Sequence, residues 1–274
     1  MSVVVPSSGG SDRLGGDFLR GLVAQGEVVH ALVLREIRTR FGEHKLGYLW
    51  ALLEPITVIL TFWGLFHIAD RPAPAGMDVF SFITTGFVPY QLFASTARRV
   101  AESINGNQAL LYYPPVQPLD LVIARAALEG ATLAAVFLVL MLLHAAYLQE
   151  LRVDSALATL GGLVLSWLLG AAVGLVFCCL SQFSNVVDRA RGPLLRPLFW
   201  ISGIFFTAES LPPAFQAVAL HNPVLHAIEL VRAGWFSSYG AEHVDLAYVL
   251  EWIGGAALTG LVLERVVRRR IEMS

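Results

Sequence analysis

Apolar residues along this chain come in long blocks separated by short charged punctuation, and block length is the first signal to interpret. A bilayer core of about 30 Å takes roughly 20 apolar residues per helix. Five blocks reach that length, at 46–68, 80–100, 119–148, 156–183 and 246–263. A sixth, 193–208, is shorter and contains Pro197, yet its centre at 198–206 carries no charge and it reads as a span too. The stretch 209–240 behaves differently, alternating apolar patches with Pro212, Pro213, His221, Pro223, His226, Glu229 and Arg232. That broken pattern predicts short or re-entrant helices, which a membrane tolerates only where protein or a wet cavity satisfies the backbone. The expected fold class is an all-α polytopic membrane protein with six transmembrane helices and re-entrant periplasmic helices before the last span.

Ahead of the first span, residues 17–41 have helical period: Phe18, Leu19, Leu22, Val23, Val29, Val33, Leu34 and Ile37 share one arc, while Arg20, Glu27, Arg35 and Arg38 lie on the other. An amphipathic helix with arginines on its polar face is expected to lie in the headgroup plane, either as an anchor or as a contact surface for a cytoplasmic partner. Residues 1–16 hold Pro6, serines and glycines but no apolar core of signal-peptide length, so an uncleaved, disordered cytoplasmic tail is expected. The six-span domain then occupies 42–274. Between the second and third spans, residues 107–113 predict a short helix stopped by Pro114 and Pro115. An ordinary loop is the alternative. The run Leu110, Leu111, Tyr112, Tyr113 favours an interface, because a dense apolar patch in water usually marks one.

Composition supports the membrane reading: at 56% hydrophobic, 15% charged and a mean hydropathy of +0.64, the chain is too apolar for a water-soluble domain. The net charge of -2 matters less than where the charges fall. With six spans and a cytoplasmic N-terminus, only Arg71, Arg152 and Arg232 of the 19 basic residues lie outside, so both termini are expected to be cytoplasmic. Chemistry is sparse. The only lysine, Lys45, is followed by Leu46, so no Gly-rich phosphate loop ending in Gly-Lys-Ser/Thr exists, and ATP hydrolysis by that route is excluded. His144, His221, His226 and His243 are too dispersed for a metal-spacing argument. Cys178 and Cys179 are adjacent in an apolar run and read as small lipid- or helix-facing residues. The candidates for membrane-embedded ionisable groups are Glu54, beside Pro55, and Arg125 with Glu129, four residues apart. Such charges usually face a bundle interior, and Arg125 with Glu129 also fits an intrahelical pair.

Leu34-Arg-Glu-Ile-Arg-Thr-Arg-Phe-Gly followed by Leu46-Gly-Tyr-Leu-Trp-Ala-Leu-Leu-Glu-Pro55 resembles the approach to the first span in ABC-2 type exporters of surface polysaccharides. Val116-Gln-Pro-Leu-Asp-Leu-Val-Ile-Ala-Arg-Ala-Ala-Leu-Glu129 is similar to the group 2 capsule-export permease. So is Phe199-Trp-Ile-Ser-Gly-Ile-Phe-Phe-Thr-Ala-Glu-Ser-Leu-Pro212 with His221-Asn-Pro-Val-Leu-His226. The likeness extends over nearly everything after Asp17. It implies an ABC-2 type exporter fold and a homodimer of six-span subunits. Two cytoplasmic ATPase subunits would hold ATP and Mg, this chain itself binding no cofactor, metal or nucleic acid. It also implies a lipid-linked capsular polysaccharide as cargo, a periplasmic co-polymerase-type adaptor and an outer-membrane exporter as further partners, and the bacterial inner membrane as the location. By resemblance, Asn107, Leu110, Leu111, Tyr112, Tyr113, Pro114 and Pro115 form a coupling helix for the ATPase, and Arg20, Arg35 and Arg38 sit on an interface helix. Residues 209–240 form a periplasmic gate shaped by Pro212, Pro213, Pro223, Trp235 and Phe236.

A sugar pathway calls for aromatic faces and hydroxyl partners, so Trp50, Phe62, Trp63, Trp200, Phe205 and Phe206, with Glu54, are candidates to line it. Tryptophans and tyrosines near span ends also form interfacial belts. Alternative cargoes are O-antigen or teichoic acid. An ion-coupled secondary transporter would need broken helices in matching halves, and only one broken region occurs, without internal repeat. A membrane-embedded transferase would need clustered acidic or histidine residues facing one leaflet. The topology is open to direct measurement: cysteines introduced singly at Ala217 and Ser237 are expected to react with an impermeant thiol reagent in spheroplasts, and one at Ser184 only after lysis. Labelling at Ser184 but not Ser237 in intact spheroplasts would reverse the assignment.

Overall fold

A computed structural model describes residues 10–41, 46–113, 116–149 and 153–272, without the side chains of 10–20, 22, 41, 46–52 and 270–272. Among these residues the regular structure is helical, with no strand. In chain order the α-helices are α1 (Gly10–Phe41), α2 (Leu46–Ile68), α3 (Val79–Ala101), α4 (Pro118–Leu148), α5 (Ala156–Ser181), α6 (Asn185–Ile201), α7 (Pro213–Ala219), α8 (Pro223–Trp235) and α9 (Leu246–Glu272). Short 3-10 segments occupy Pro74–Gly76, Asn105–Tyr112 and Ala208–Ser210. Among the fully described residues three helices are long and apolar enough to cross a membrane, Pro118–Leu148, Ala156–Ser181 and Leu246–Arg269, and the fully described part of α2, Leu53–Ile68, is a shorter apolar stretch. Local chemistry sets the helix starts. Asp78 accepts from Ser81 N at 2.9 Å to open α3, Asp120 Oδ2 accepts from Gln117 N at 2.8 Å to open α4, and Asn222 Oδ1 accepts from Val224 N at 3.1 Å to open α8.

The centre is a parallel pair, α3 and α5. Gly170 faces the Phe93 carbonyl, Gly174 faces Ala97 and Val100, and Ser103 meets Cys178 Sγ at 3.3 Å, so the two helices advance together. Around this pair α4 and α8 run the opposite way: Glu129 of α4 bonds Ser95, and His144 Nε2 lies 2.7 Å from Asp78 at the other end of α3. Antiparallel to α5, α8 closes with Ser155 N donating to Gly234 O at 2.7 Å. α9 joins the outside of α5 through Leu263 and Val267, against Leu175, Cys178 and Cys179. Both cysteines are therefore free, buried and helix-facing. Only 11% of the apolar window of α9 is buried within the chain, which leaves most of that surface for a membrane or another subunit.

Two elements depart from the boundaries drawn above. The apolar block 193–208 is not one helix, because α6 begins eight residues earlier, where Ser184 Oγ accepts from Val186 N at 3.3 Å. It ends at Ile201, where Asn222 Nδ2 donates to the Ile201 carbonyl at 3.3 Å and to Ser202 Oγ at 2.9 Å. Hydropathy sees side chains and not this cap. The first helix starts at Gly10 and, instead of lying apart, climbs beside α4: Gln25 donates to Asp120, Arg125 Nε reaches Glu36 at 3.2 Å, and Arg40 bonds Glu129. Those contacts advance about 22 Å along α1 but about 14 Å along α4, an oblique crossing of the ridges-in-grooves kind. Between its walls Leu32 packs on Leu121 and Ala124.

The α7–α8 turn is set deep. Its residues His221, Asn222 and Pro223 share a recess of about 320 Å³ with Phe93, Leu169 and Val173, which stand midway along α3 and α5. α7 descends to that level and α8 returns from it. The α3–α5 contact generates a stability prediction, because a Cβ at Gly170 would stand 2.5 Å from the Phe93 carbonyl oxygen, whereas one at Gly161 meets only Leu230 Cδ2 at 3.7 Å. Gly170→Val is expected to cost about 2–3 kcal/mol, lowering the melting temperature in detergent by roughly 5–10 °C, with Gly161→Val close to wild type. Equal melting of the two variants would remove close packing as the basis of the pair.

Candidate functional site

At one end of the bundle the 3-10 segment Asn105–Tyr112 projects from a polar base. Asn107 is buried, with φ -138° breaking the segment, and its amide is held on both sides: Nδ2 donates to Ser103 O at 3.1 Å, and Oδ1 accepts from Arg35 Nη1 at 2.8 Å. Asn105 Nδ2 reaches Ser181 Oγ and Asp188 Oδ2, both at 3.3 Å, while its Oδ1 accepts from Gln182 Nε2 at 2.7 Å. Leu110 and Leu111 turn inward, half-buried against the α1–α4 contact. Tyr112 and Tyr113 do not, at 89% and 64% exposed. Of the four residues expected to form the exposed patch, two anchor it and two present it. Pro114 and Pro115 lie outside the described residues, as do the side chains of Arg20 and Trp50. Arg35 belongs to this base, and Arg38 is exposed on α1.

The two candidate membrane charges on α4 do not pair with each other. Arg125 turns to Glu36 and donates to the Arg99 carbonyl at 3.2 Å, and Glu129 accepts from Arg40 and from Ser95 Oγ. Both are satisfied across helices, by α1 and α3. Glu54 is exposed on α2.

The aromatic candidates fall into two groups. Phe62 of α2 packs on Phe205 with ring centroids 4.3 Å apart and on Phe199 at 6.4 Å, and Trp200 meets Phe199 at 5.1 Å and Phe205 at 6.0 Å. Tyr90 of α3 closes the cluster against Phe199 at 5.3 Å. Such tilted and edge-on pairs are worth about 0.5–1.5 kcal/mol each beyond area burial. Phe62, Phe66, Trp200, Phe205 and Phe206 line an open recess of about 850 Å³, with Arg71 over the Phe66 ring at 5.2 Å. Trp63 stands apart, stacked on His67 at 5.8 Å. Arg71 was not singled out from the sequence; its place beside aromatic residues of the next turn back is the signal that could have found it.

Above the recess is a clasp that periodicity alone did not reveal. Arg232 of α8 is fully buried. Its Nη1 donates to Phe206 O at 2.8 Å and to Glu229 Oε1 at 3.3 Å, its Nη2 donates to Ile204 O at 3.0 Å, and the guanidinium lies 4.2 Å over the Phe82 ring. Tyr239 donates to the second oxygen of Glu229. Burial first, and then the Glu229 charge, push the Tyr239 phenol well above its ordinary pKa, so it stays a donor. Gly86 makes the room, since a Cβ there would stand 2.6 Å from Arg232 Nη2. The i,i+3 spacing of Glu229 and Arg232 was visible, but had been read only as what prevents a span. Around the clasp, Pro212 and Pro213 open α7, Pro223 opens α8, and Phe236 caps it. Trp235 meets Phe137 of α4 edge-on at 5.8 Å.

No group of histidine, cysteine or carboxylate side chains among the described residues is arranged to hold a metal ion. The assembly has the parts of a transport subunit: a presented tip on a braced base, helices long enough to cross a bilayer, and an aromatic recess at the opposite end.

Comparison with known proteins agrees, for the sequence pattern of the ABC-2 type transporter matches residues 27–236, and the chain belongs to that family. Among curated relatives, the polysialic acid transport protein KpsM of Escherichia coli is 36% identical over 250 residues, covering 89% of this chain and 95% of the relative. The capsule polysaccharide export inner-membrane protein CtrC of Neisseria meningitidis serogroup B is 32% identical, covering 81% and 83% of the two chains. BexB of Haemophilus influenzae, of the same description, is 30% identical, covering 93% and 96%.

The clasp yields a measurable consequence. Arg232→Met leaves Glu229 buried without its cation and is expected to cost about 3–5 kcal/mol, whereas the double variant Glu229→Leu/Arg232→Met recovers part of that loss. Thermal unfolding in detergent reads both. A double variant no more stable than Arg232→Met alone would argue that the two side chains do not act as a pair.

Proposed function

We propose that this chain is the membrane-spanning subunit of an ATP-driven ABC exporter that moves lipid-linked capsular polysaccharide across the bacterial inner membrane. The observation that carries this reading is the near full-length likeness to capsule-export permeases, on a chain that has its own docking tip but no phosphate loop. In this reading α2, α3, α4, α5, α6 and α9 make six crossings, with both termini cytoplasmic, as the distribution of arginines supports. The end bearing Tyr112 and Tyr113 faces the cytoplasm. Two copies form the working membrane domain, since a single chain with one presented tip would serve one ATPase and twofold closure serves two. The partner ATPases bind ATP and Mg. The aromatic recess takes sugar rings by stacking, and α7–α8, held by the Arg232 clasp, closes the periplasmic side between transport events. A periplasmic adaptor and an outer-membrane exporter would receive the polymer.

Coupling through the tip follows from its geometry: a load applied to the two tyrosines passes into Asn105 and Asn107, and from there to α1, α5 and α6. The isolated chain is expected to hydrolyse no ATP. Co-expressed with its cognate ATPase, it should copurify as an active complex. The variant Tyr112→Glu/Tyr113→Glu is expected to stay in the membrane but to lose the ATPase on purification by about tenfold, with polysaccharide retained in the cytoplasm. Wild-type copurification and export by that variant would remove the tip from the coupling mechanism. Hydrolysis by the isolated chain would overturn the division of labour.

A further inference from the structure

At the arginine-rich end nearly every carboxylate is taken. Glu36 pairs with Arg125 at 3.2 Å, Glu102 with Arg191 at 2.7 Å, and Glu129 with Arg40 and Ser95. Arg99, in the last turn of α3, is left over. Among the described residues its guanidinium meets no hydrogen-bond acceptor and no carboxylate, and its Nε is closed off from solvent without a partner. The charges acting on it are Arg40, Glu129, Arg98 and Glu102: two more cations, and two carboxylates already engaged elsewhere. Arg98 beside it is exposed.

A helix C-terminus favours cations, which gives both arginines a reason to be in this turn. The dipole does not supply an acceptor to a buried N–H, and a half-buried guanidinium without one is unfavourable. An anion with several oxygens would satisfy it. Position narrows the choice of anion. Arg40 is in the last turn of α1, immediately before the apolar α2 begins, and Arg99 lies where the buried part of α3 gives way to the polar segment at Asn105. In the orientation proposed above, that is the depth of the cytoplasmic-leaflet headgroups, with lipid-facing helix on one side and the docking tip on the other.

We propose that Arg99, Arg98 and Arg40 form a site for the phosphate headgroup of a membrane lipid at the cytoplasmic leaflet. Arg99 is the half-buried anchor, its fork of N–H groups matched to phosphate oxygens. Arg98 closes over the headgroup from the solvent side. Arg40 adds positive potential while holding Glu129, and Arg191 holds Glu102, so that both nearby carboxylates are neutralised by a cation of their own. The inference rests on the membrane orientation of the proposed function but not on its cargo.

The test uses the purified full-length chain in detergent, titrated with phosphatidylglycerol or phosphatidylcholine and read by native mass spectrometry, with no ATPase or polysaccharide present. Phosphatidylglycerol is expected to bind and phosphatidylcholine to bind far more weakly. Arg99→Gln should weaken phosphatidylglycerol about tenfold and Arg98→Gln roughly threefold. Circular dichroism checks that each variant is folded. Unchanged phosphatidylglycerol affinity in folded Arg99→Gln, or equal binding of the two lipids, would overturn the site. If Arg99→Gln does not fold, Arg98→Gln decides it, and wild-type affinity there overturns it. Displacement of the lipid by millimolar inorganic phosphate would assign the arginines to a soluble anion and likewise overturn the lipid. Loss of export with lipid binding intact would count against the transport reading alone.

Discussion

Arg232 is fully buried, and a buried cation must be surrounded by acceptors or lose its charge. Here three acceptors come from two parts of the chain: the Glu229 carboxylate on its own helix, and the Ile204 and Phe206 carbonyls from the irregular backbone after α6. Phe82 of α3 supplies a ring face on the remaining side. None of these groups can leave without stripping a fully buried cation of an acceptor. The irregular backbone is therefore fixed by its carbonyls and not by helical bonds. That in turn places Phe205, between the two anchored carbonyls, and Phe206, which carries one of them, along the recess. The deep α7–α8 turn, the end of α6 and the aromatic wall are one unit because one guanidinium ties them.

The opposite end is organised by several partly exposed contacts in place of a single buried one. Arg40 and Glu129 are 20% and 3% exposed, and Arg125 and Glu36 are 14% and 17% exposed, so these pairs are screened less than surface bridges, whose typical worth is about 0–1 kcal/mol. They also differ from a core pair in being divisible. The Arg125–Glu36 rung can be lost without leaving a fully buried charge, whereas loss of Arg40 leaves Glu129 buried with Ser95 alone. The contrast fits the two jobs in the proposed function: a seal must be cooperative, while a docking face must accept and release a partner repeatedly.

Much of the helical plan was legible because membrane-length apolar blocks announce themselves: α2, α4 and α5 follow their blocks to within a few residues, and α3 and α9 contain theirs. The prolines at 212, 213 and 223 likewise marked where α7 and α8 begin. What escaped was anything decided by a partner distant in sequence. The end of α6 depends on the Asn222 side chain, 20 residues on. Arg125 and Glu129 sit at ideal spacing for a pair on one helix, yet α1 offers each a closer partner, and no local rule contains that competition. Leu110 and Leu111 looked as exposed as the tyrosines after them, because a 3-10 segment folding back on its own base leaves no periodic trace over so few residues. In the sequence Arg71 is a charge outside the membrane and Arg232 is that and part of a broken pattern, and neither the cation over Phe66 nor the one over Phe82 follows from such counting.

The slant of α1 across α4 has a mechanical consequence. A helix tied at Gln25, Glu36 and Arg40 to a neighbour that rises more slowly than it does is a diagonal brace, and a braced frame resists shear where parallel struts fold flat. With Arg35 pinned to Asn107, the brace and the tip share a joint. Sideways displacement of the tip is therefore carried through Arg35 into α1 along its stiff axis instead of being taken up by the short segment alone. Stroke, in such a frame, is traded for force.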